Sequence, residues 1–288
     1  MTGLLTVPSR VTGTTRRRLP VGLTLAWVFI GLLVLAALVP DLLAPQPPDA
    51  VDPAIALSTP SWDHVFGTDE LGRDVYSRIV HGARFSLGIG IGSTAIALVL
   101  GVLLGVLSAT AGRLADSVIT WFTNVFLAFP GLLLALLVVA ILGPGTLNVI
   151  IAIGLSSVPG FTRLTRGQAM IVRESGYVRA AITLGQRKPA IYLRHLLPNA
   201  LPPLLLFATL YLGAAIVAGS ALSFLGLGPQ APTPEWGSML ADGQDFLDVV
   251  WHITVIPGLV VTLAVISFTV AGRDLRRRFE GRLPDAVR

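Results

Sequence analysis

The run Ser175-Gly-Tyr177-Val178-Arg179-Ala180-Ala181-Ile-Thr-Leu184-Gly185-Gln-Arg187-Lys188-Pro189-Ala-Ile-Tyr-Leu-Arg194-His195-Leu-Leu197-Pro198-Asn199 decides how this chain is read. It is polar and basic, and long apolar stretches flank it on both sides. Tyr177 to Leu184 has room for about two helical turns. Gly185 suits the left-handed position after a helix, and Pro189 suits the first turn of the next one. The segment therefore reads as two short helices. Ala180 and Ala181 leave the first one thin on one side, a shape suited to a groove on another protein, with Tyr177 and Leu184 supplying apolar grip. The plainer alternative is a basic interfacial loop drawn to anionic headgroups.

Outward from that loop the sequence is dominated by apolar runs. Of 288 residues, 53% are hydrophobic and only 13% charged, and the mean hydropathy is +0.76, against a charged share of about 25% in soluble domains. This excludes a water-soluble globule and leaves the bilayer as solvent. Six stretches approach the roughly 20 apolar residues a transmembrane helix needs: residues 19–39, 85–109, 118–142, 147–161, 200–222 and 249–271, the fourth short and broken. The expectation is an all-α polytopic membrane protein. It divides into an N-terminal tail (1–18), an anchor helix (19–39), an extracytoplasmic segment (40–84), a five-helix core (85–272) containing the loop 163–199, and a C-terminal tail (273–288).

Charge sets the orientation. With the N-terminus inside, 18 of the 21 Lys and Arg fall on the cytoplasmic side, while 11 of the 16 acids fall outside. The positive-inside rule then places both termini and the 163–199 loop in the cytoplasm, in the plasma (inner) membrane. Arg16-Arg17-Arg18 before the first apolar run also suits a secretory or twin-arginine signal, but that run exceeds a typical signal core of about 7–15 residues and five more spans follow. The Pro-rich stretch 40–61 reads as an extended linker.

Catalytic patterns are missing. The four histidines are scattered, and neither His-Glu-x-x-His nor Gly-x-Ser-x-Gly occurs. There is no cysteine, hence no disulfide and no thiolate metal site. Without a P-loop the chain does not cradle nucleotide phosphates by that route, and no soluble basic face suggests nucleic acid. Ionisable residues are absent from mid-span, which weighs against a self-contained proton-coupled carrier.

Proline and glycine interrupt the spans at Phe129-Pro130-Gly131, Pro159-Gly160, Pro202-Pro203 and Pro257-Gly258. Such breaks kink helices and favour a bundle enclosing a polar path. Gly88, Gly90, Gly92, Gly101 and Gly105 give the second span a small-residue face for close packing. Asn124 in the third span and Pro130 beside it are candidate pathway residues. Trp236 and Gly237 are candidates for an outer gate, or for an anchor at headgroup level. Asp69-Glu70-Leu-Gly72-Arg73-Asp74 is dense in charge around a glycine and reads as an internally paired structural loop. The acids Asp69, Glu70, Asp74, Glu235, Asp242, Asp245 and Asp248 form an acidic outer surface, suited to orienting a partner protein or attracting peptide amino termini, with plain solvation as the simpler alternative.

The loop resembles the signature of binding-protein-dependent ABC importer permeases, in which Glu-Ala-Ala is followed by Gly and then Ile-x-Leu-Pro. Here Arg179 stands at the Glu position and His195 at the Ile position, the latter as in the dipeptide/oligopeptide/nickel branch. Phe66-Gly-Thr-Asp-Glu-Leu-Gly-Arg-Asp74 with Gly82-Ala-Arg84, Leu127-Ala-Phe-Pro-Gly-Leu132, and Ser223-Phe-Leu-Gly-Leu-Gly228 with Pro232-Thr-Pro-Glu-Trp-Gly237 resemble further blocks of the second permease of the peptide systems. The resemblance implies a type I importer transmembrane domain. It also implies a second related permease, one or two P-loop ATPase subunits that hold the ATP and Mg, an extracytoplasmic binding protein, and di- or oligopeptide cargo. Nickel or another small solute is the alternative cargo, and a stand-alone channel a minor one. Tyr177, Val178, Arg179, Ala180, Ala181, Leu184, Gly185, His195, Leu197 and Pro198 would form the ATPase-coupling loop, with no catalytic residue and no metal in this chain. Because the family pattern has Glu at this position, the resemblance alone predicts that Arg179→Glu preserves or strengthens docking.

Overall fold

A computed structural model describes residues 21–44 and 46–280. The expected N-terminal tail, Leu19 and Pro20 of the anchor, Pro45, and residues 281–288 lie outside the described residues. Eleven α-helices, a 3-10 turn at Pro53–Ile55 and a π-helical turn form among the described residues, and no strand does. The acidic end of the molecule receives α1 (Val21–Leu38) and the short α2 (Pro40–Leu43). α3 (Val75–Thr110) runs to the basic end, and α4 (Arg113–Leu127) and α5 (Gly131–Leu142) return from it. α6 (Thr146–Arg173) leads again to the basic end, where α7 (Gly176–Thr183) and α8 (Lys188–Ile191) lie. A π-helical turn over 192–196 joins α8 to α9 (Leu197–Phe224), and α10 (Trp236–Gln244) and α11 (His252–Glu280) complete the chain.

The central seam is α3 against α6, and glycine makes it possible. A Cβ on Gly101 would lie 2.3 Å from the Phe161 Cβ, and one on Gly105 2.4 Å from the Thr165 Cβ, so the two helices approach closely only because these positions lack side chains. Gly90 receives Ile216 of α9 and Gly92 receives Ile150 of α6 in the same way. Gly88 touches nothing within 4 Å and does not belong to the packing face expected of it. α1 lays a stripe of Leu23, Ala26, Ile30, Leu33 and Ala36 into the bundle, packing on α3 and α11. That spacing of three and four residues is one helical face.

α3 and α6 are parallel. Gly92 meets Ile150, Gly101 meets Phe161 and Gly105 meets Thr165. Near the ends of the pair, the Arg173 guanidinium donates to the Ala109 carbonyl at 2.7 Å. The chain leaving α3 at Thr110 must therefore travel back along the seam before α6 can start at Thr146. α4 and α5 make that return, bent by 93°. A loop re-entering on its own side would leave α6 antiparallel to α3, so the bent pair is one crossing. Together with the five long apolar helices it makes six.

Several boundaries differ from the sequence expectation, each for a tertiary reason. The second span begins at Val75 rather than near Phe85, because the Asp74 carboxylate caps its first turn through Ser77 N–H at 2.8 Å and Ser77 and Arg78 are buried against neighbours. The fourth does not stop at Phe161 but runs on to Arg173. Phe161, Thr162, Thr165, Ala169 and Val172 continue one buried stripe, which holds the helix together past Pro159. The first eleven residues of the expected loop are thus helix. The sixth span likewise carries on to Glu280, into the expected tail. Of the four Pro-Gly or Pro-Pro breaks, only Phe129-Pro130-Gly131 separates two helices; Pro159, Pro202, Pro203 and Pro257 lie inside continuous ones. In a bilayer such helices survive because neighbouring helices support the freed carbonyls.

Candidate functional site

α7 is built as its sequence suggests. Gly185 adopts φ +71°; its N–H bonds the Ile182 carbonyl at 3.0 Å and the Gln186 N–H bonds the Ala181 carbonyl at 3.1 Å. These two bonds close a Schellman cap and satisfy the last carbonyls of the helix. Pro189 sits in the first turn of α8, where its missing N–H costs nothing, and Pro198 follows directly on the π-helical turn that leads into α9.

The underside of α7 packs on α6 and α8 and joins a buried cluster that reaches α3 and α9. Val178 and Ala181 are buried in one cluster with Ala109 of α3, Ala169 and Val172 of α6, Ile191, Leu196, and Ala200 of α9. Ala181 therefore does not belong to the thin, partner-facing side expected of the Ala180-Ala181 pair; Ala180 does, being exposed. At 100° per residue, Arg179, Ala180 and Thr183 point away from the buried face. Tyr177 and Leu184 flank them on one side and Ile182 on the other, at 47%, 79% and 56% exposure. Large apolar side chains left open beside a rigidly seated backbone are what a docking helix presents. His195 joins the two halves of the loop. Its Nε2 lies 3.2 Å from Gln186 Oε1, its ring stands 6.4 Å from that of Tyr177, and its carbonyl accepts from Asn199 Nδ2 at 2.6 Å. Leu197 is half-buried and Pro198 exposed.

At the same end, Asp116 in the first turn of α4 receives Arg166 of α6 in a two-pronged pair, at 2.6 and 2.7 Å, and Ser108 of α3 at 2.5 Å. Sequence reading missed this knot. The only local signal is an isolated acid beside an apolar run, and its partner lies 50 residues on. Asn124 lines a polar cavity of about 200 Å³ beside it, with Ser108, Thr120, Thr123, Thr162, Arg163 and Arg166. This cavity adjoins a much more apolar cleft of about 700 Å³ between α3, α6 and the α4–α5 elbow, bounded by Leu103, Leu104, Phe122, Phe126 and Leu137. Pro130 is exposed at the elbow, where it starts α5 and lacks the N–H that would continue α4.

At the acidic end the 69–74 loop is internally bonded. One Asp69 carboxylate oxygen accepts from Leu71 N–H and Arg73 N–H, each at 2.9 Å, and the other from Arg73 Nε at 2.6 Å. Arg73 reaches Glu70 at 2.8 Å. Gly72, at φ +75°, passes so close to the Asp52 carbonyl that a Cβ would sit 1.8 Å from its oxygen. Asp74 pairs with His64 at 3.0 Å while capping α3. Burial, aided by Asp69, pushes the Glu70 carboxyl above its ordinary value.

The outer-gate or headgroup reading of Trp236 and Gly237 does not hold. Trp236 is 0% exposed, and its indole N–H donates to the Ile79 carbonyl at 3.0 Å. A Cβ on Gly237 would lie 2.3 Å from the Ser220 carbonyl. Both belong to the joint between α10, α3 and α9. Glu235 is also buried, accepting from Ser86 Oγ at 2.7 Å and from the N–H groups of Gly237 and Ser238. The acidic outer surface loses Asp69, Asp74 and Glu235 to such structural bonds, while Asp242, Asp245 and Asp248 remain exposed.

Residues 97–283 match the family described as binding-protein-dependent transport system inner membrane component. The chain is 41% identical over 266 residues to the di/tripeptide transport system permease protein DppC of Pseudomonas aeruginosa, covering 90% of this chain and 88% of that one. It is 39% identical to the probable D,D-dipeptide transport system permease protein DdpC of Escherichia coli, covering 86% and 84% respectively. Among solved structures, the inward-facing MetNI methionine ABC transporter shares the fold with a TM-score of 0.56 at 20% identity, over 69% of this chain and 94% of that one. The chain belongs to the binding-protein-dependent transport system inner membrane components and is a membrane permease subunit of an ABC importer.

Proposed function

We propose that this chain is the second permease of a di- or oligopeptide importer. It forms half of the translocation pathway beside a related permease and docks α7 on a P-loop ATPase subunit. ATP and Mg are held by that ATPase, and an extracytoplasmic binding protein delivers the cargo. Both termini and the 163–199 loop face the cytoplasm of the inner membrane in this reading, which the charge distribution supports. The peptide cargo is inferred from the relatives' names.

The observation that carries the reading is the seat of α7. Because Val178 and Ala181 are wedged among the ends of α3, α6 and α9, a displacement of α7 is delivered to three crossings together. Closure of the ATPases moves α7, and the α4–α5 elbow, a crossing with a 93° break, supplies a joint at which the bundle changes shape. Asn124 lies on the inner half of this elbow and Pro130 at its bend, which makes them the pathway candidates of this chain. The test is purification of a tagged copy from native membranes, with mass spectrometry of the co-purifying chains. A second six-span permease and a P-loop ATPase are the expected companions. Recovery of this chain alone, with uptake intact in liposomes lacking an ATPase, contradicts the proposal.

A further inference from the structure

The charge on the docking surface specifies what receives it. Between residues 163 and 199 the chain carries seven Lys and Arg and a single acid, Glu174. Arg166 is spent on Asp116 and Arg173 on the Ala109 carbonyl. Arg179, Arg187, Lys188 and Arg194 are exposed, with no ion-pair partner among the described residues. Arg179 stands on the outward face of α7 beside Thr183, on the side nearer Ile182, with Tyr177 and Leu184 across that face. Arg187 and Lys188 follow directly on the Schellman cap.

Four like charges on one small loop repel one another, and no ion pair among the described residues offsets them. An occupant of opposite sign does. Anionic headgroups are one such occupant, but the geometry favours a protein. α6 is 28 residues long, about 42 Å at 1.5 Å per residue, against a hydrocarbon core of about 30 Å. α7 follows its far end, and the face of α7 toward the spans is already filled by Val178 and Ala181. Its apolar side chains flank the outward face instead of lying together on one face toward the bilayer, as those of an interfacial helix would.

We propose that the ATPase groove receiving α7 is acidic, with a carboxylate opposite Arg179 and apolar walls around Tyr177, Ile182 and Leu184. This rests on the permease reading above, and it reverses what the family pattern alone predicts for this position. Docking is then charge-steered and salt-sensitive.

The test uses the whole importer, co-expressed and placed in nanodiscs of phosphatidylcholine, so that no anionic headgroup is present. ATPase retained on the tagged permease is measured from low to high salt. Wild type retains ATPase at low salt and loses it as salt rises. Arg179→Glu lowers low-salt retention about tenfold, with Arg179→Gln intermediate and Arg179→Lys near wild type, a graded order that misfolding does not produce. Leu184→Ala weakens retention with an unchanged salt slope. Equal or tighter retention by Arg179→Glu overturns the acidic groove and restores the family expectation of a basic contact. Wild-type retention that appears only when phosphatidylglycerol is added overturns it in favour of headgroups. Absence of any ATPase with the wild type in either lipid, together with uptake that needs none, contradicts the permease proposal instead.

Discussion

Asp116 and Arg166 show what a single pair does in this fold. Their side chains are about one-third exposed, at 30% and 31%, so solvent screens them and the pair contributes roughly 0.5–1 kcal/mol. Its more important effect is positional, since it fastens the first turn of α4 to α3 and α6. Asp116→Asn and Arg166→Gln should each lower the melting temperature by a few degrees. The double variant should lose little more than either single one, and a thermal-unfolding cycle reads this coupling. Glu70 gives a pH prediction with a definite sign. Its folded value is raised, so between the ordinary and the raised value the folded state binds more protons than the unfolded chain, and stability rises as pH falls through that window. Glu70→Gln removes the cost of a buried charge at neutral pH. Its stability relative to wild type should be highest where the wild-type Glu70 is ionised and shrink as pH falls toward the ordinary carboxylate range; a constant difference contradicts this assignment.

At the scale of elements, the α3–α6 seam depends on two missing side chains. Gly101→Leu or Gly105→Leu must push Phe161 or Thr165 aside at a backbone-close contact, and each should cost about 1–3 kcal/mol, seen as a lower unfolding temperature in detergent. Gly88→Leu, facing open space, serves as the silent control. Much of this level was legible from the residues alone. The apolar runs and the α7 boundaries follow from local composition and from Gly185 and Pro189, which act within a turn of where they stand. What escaped is non-local. The true start of α3 and end of α6 carry polar residues that are helical because they pack on neighbours, and Asp116 finds Arg166 across 50 residues. Trp236 looked like an interface residue because tryptophan favours interfaces, yet its ring fills the joint between α3 and α10, and no local pattern reports that burial. The elbow was half legible: Pro130 marked a break, while no local pattern reports its 93° size.

At the scale of the whole molecule the proposed role makes the bundle a transmission. Ala109, Ala169, Val178, Ala181 and Ala200 bring the ends of three crossings under one short helix, and the elbow gives the bundle a place to bend. The account's central claim is that force enters through α7. Pro at position 180 removes an N–H within α7 and clashes with the preceding turn, at a cost of about 3 kcal/mol, while Ala180→Ser leaves the helix intact and controls for expression. The deciding measurement is the ratio of cargo imported to ATP hydrolysed by the assembled importer in proteoliposomes, wild type against Ala180→Pro. The account predicts that the variant complex loses most of its uptake per ATP while Ala180→Ser keeps it. Uptake per ATP at the wild-type level in Ala180→Pro would contradict it.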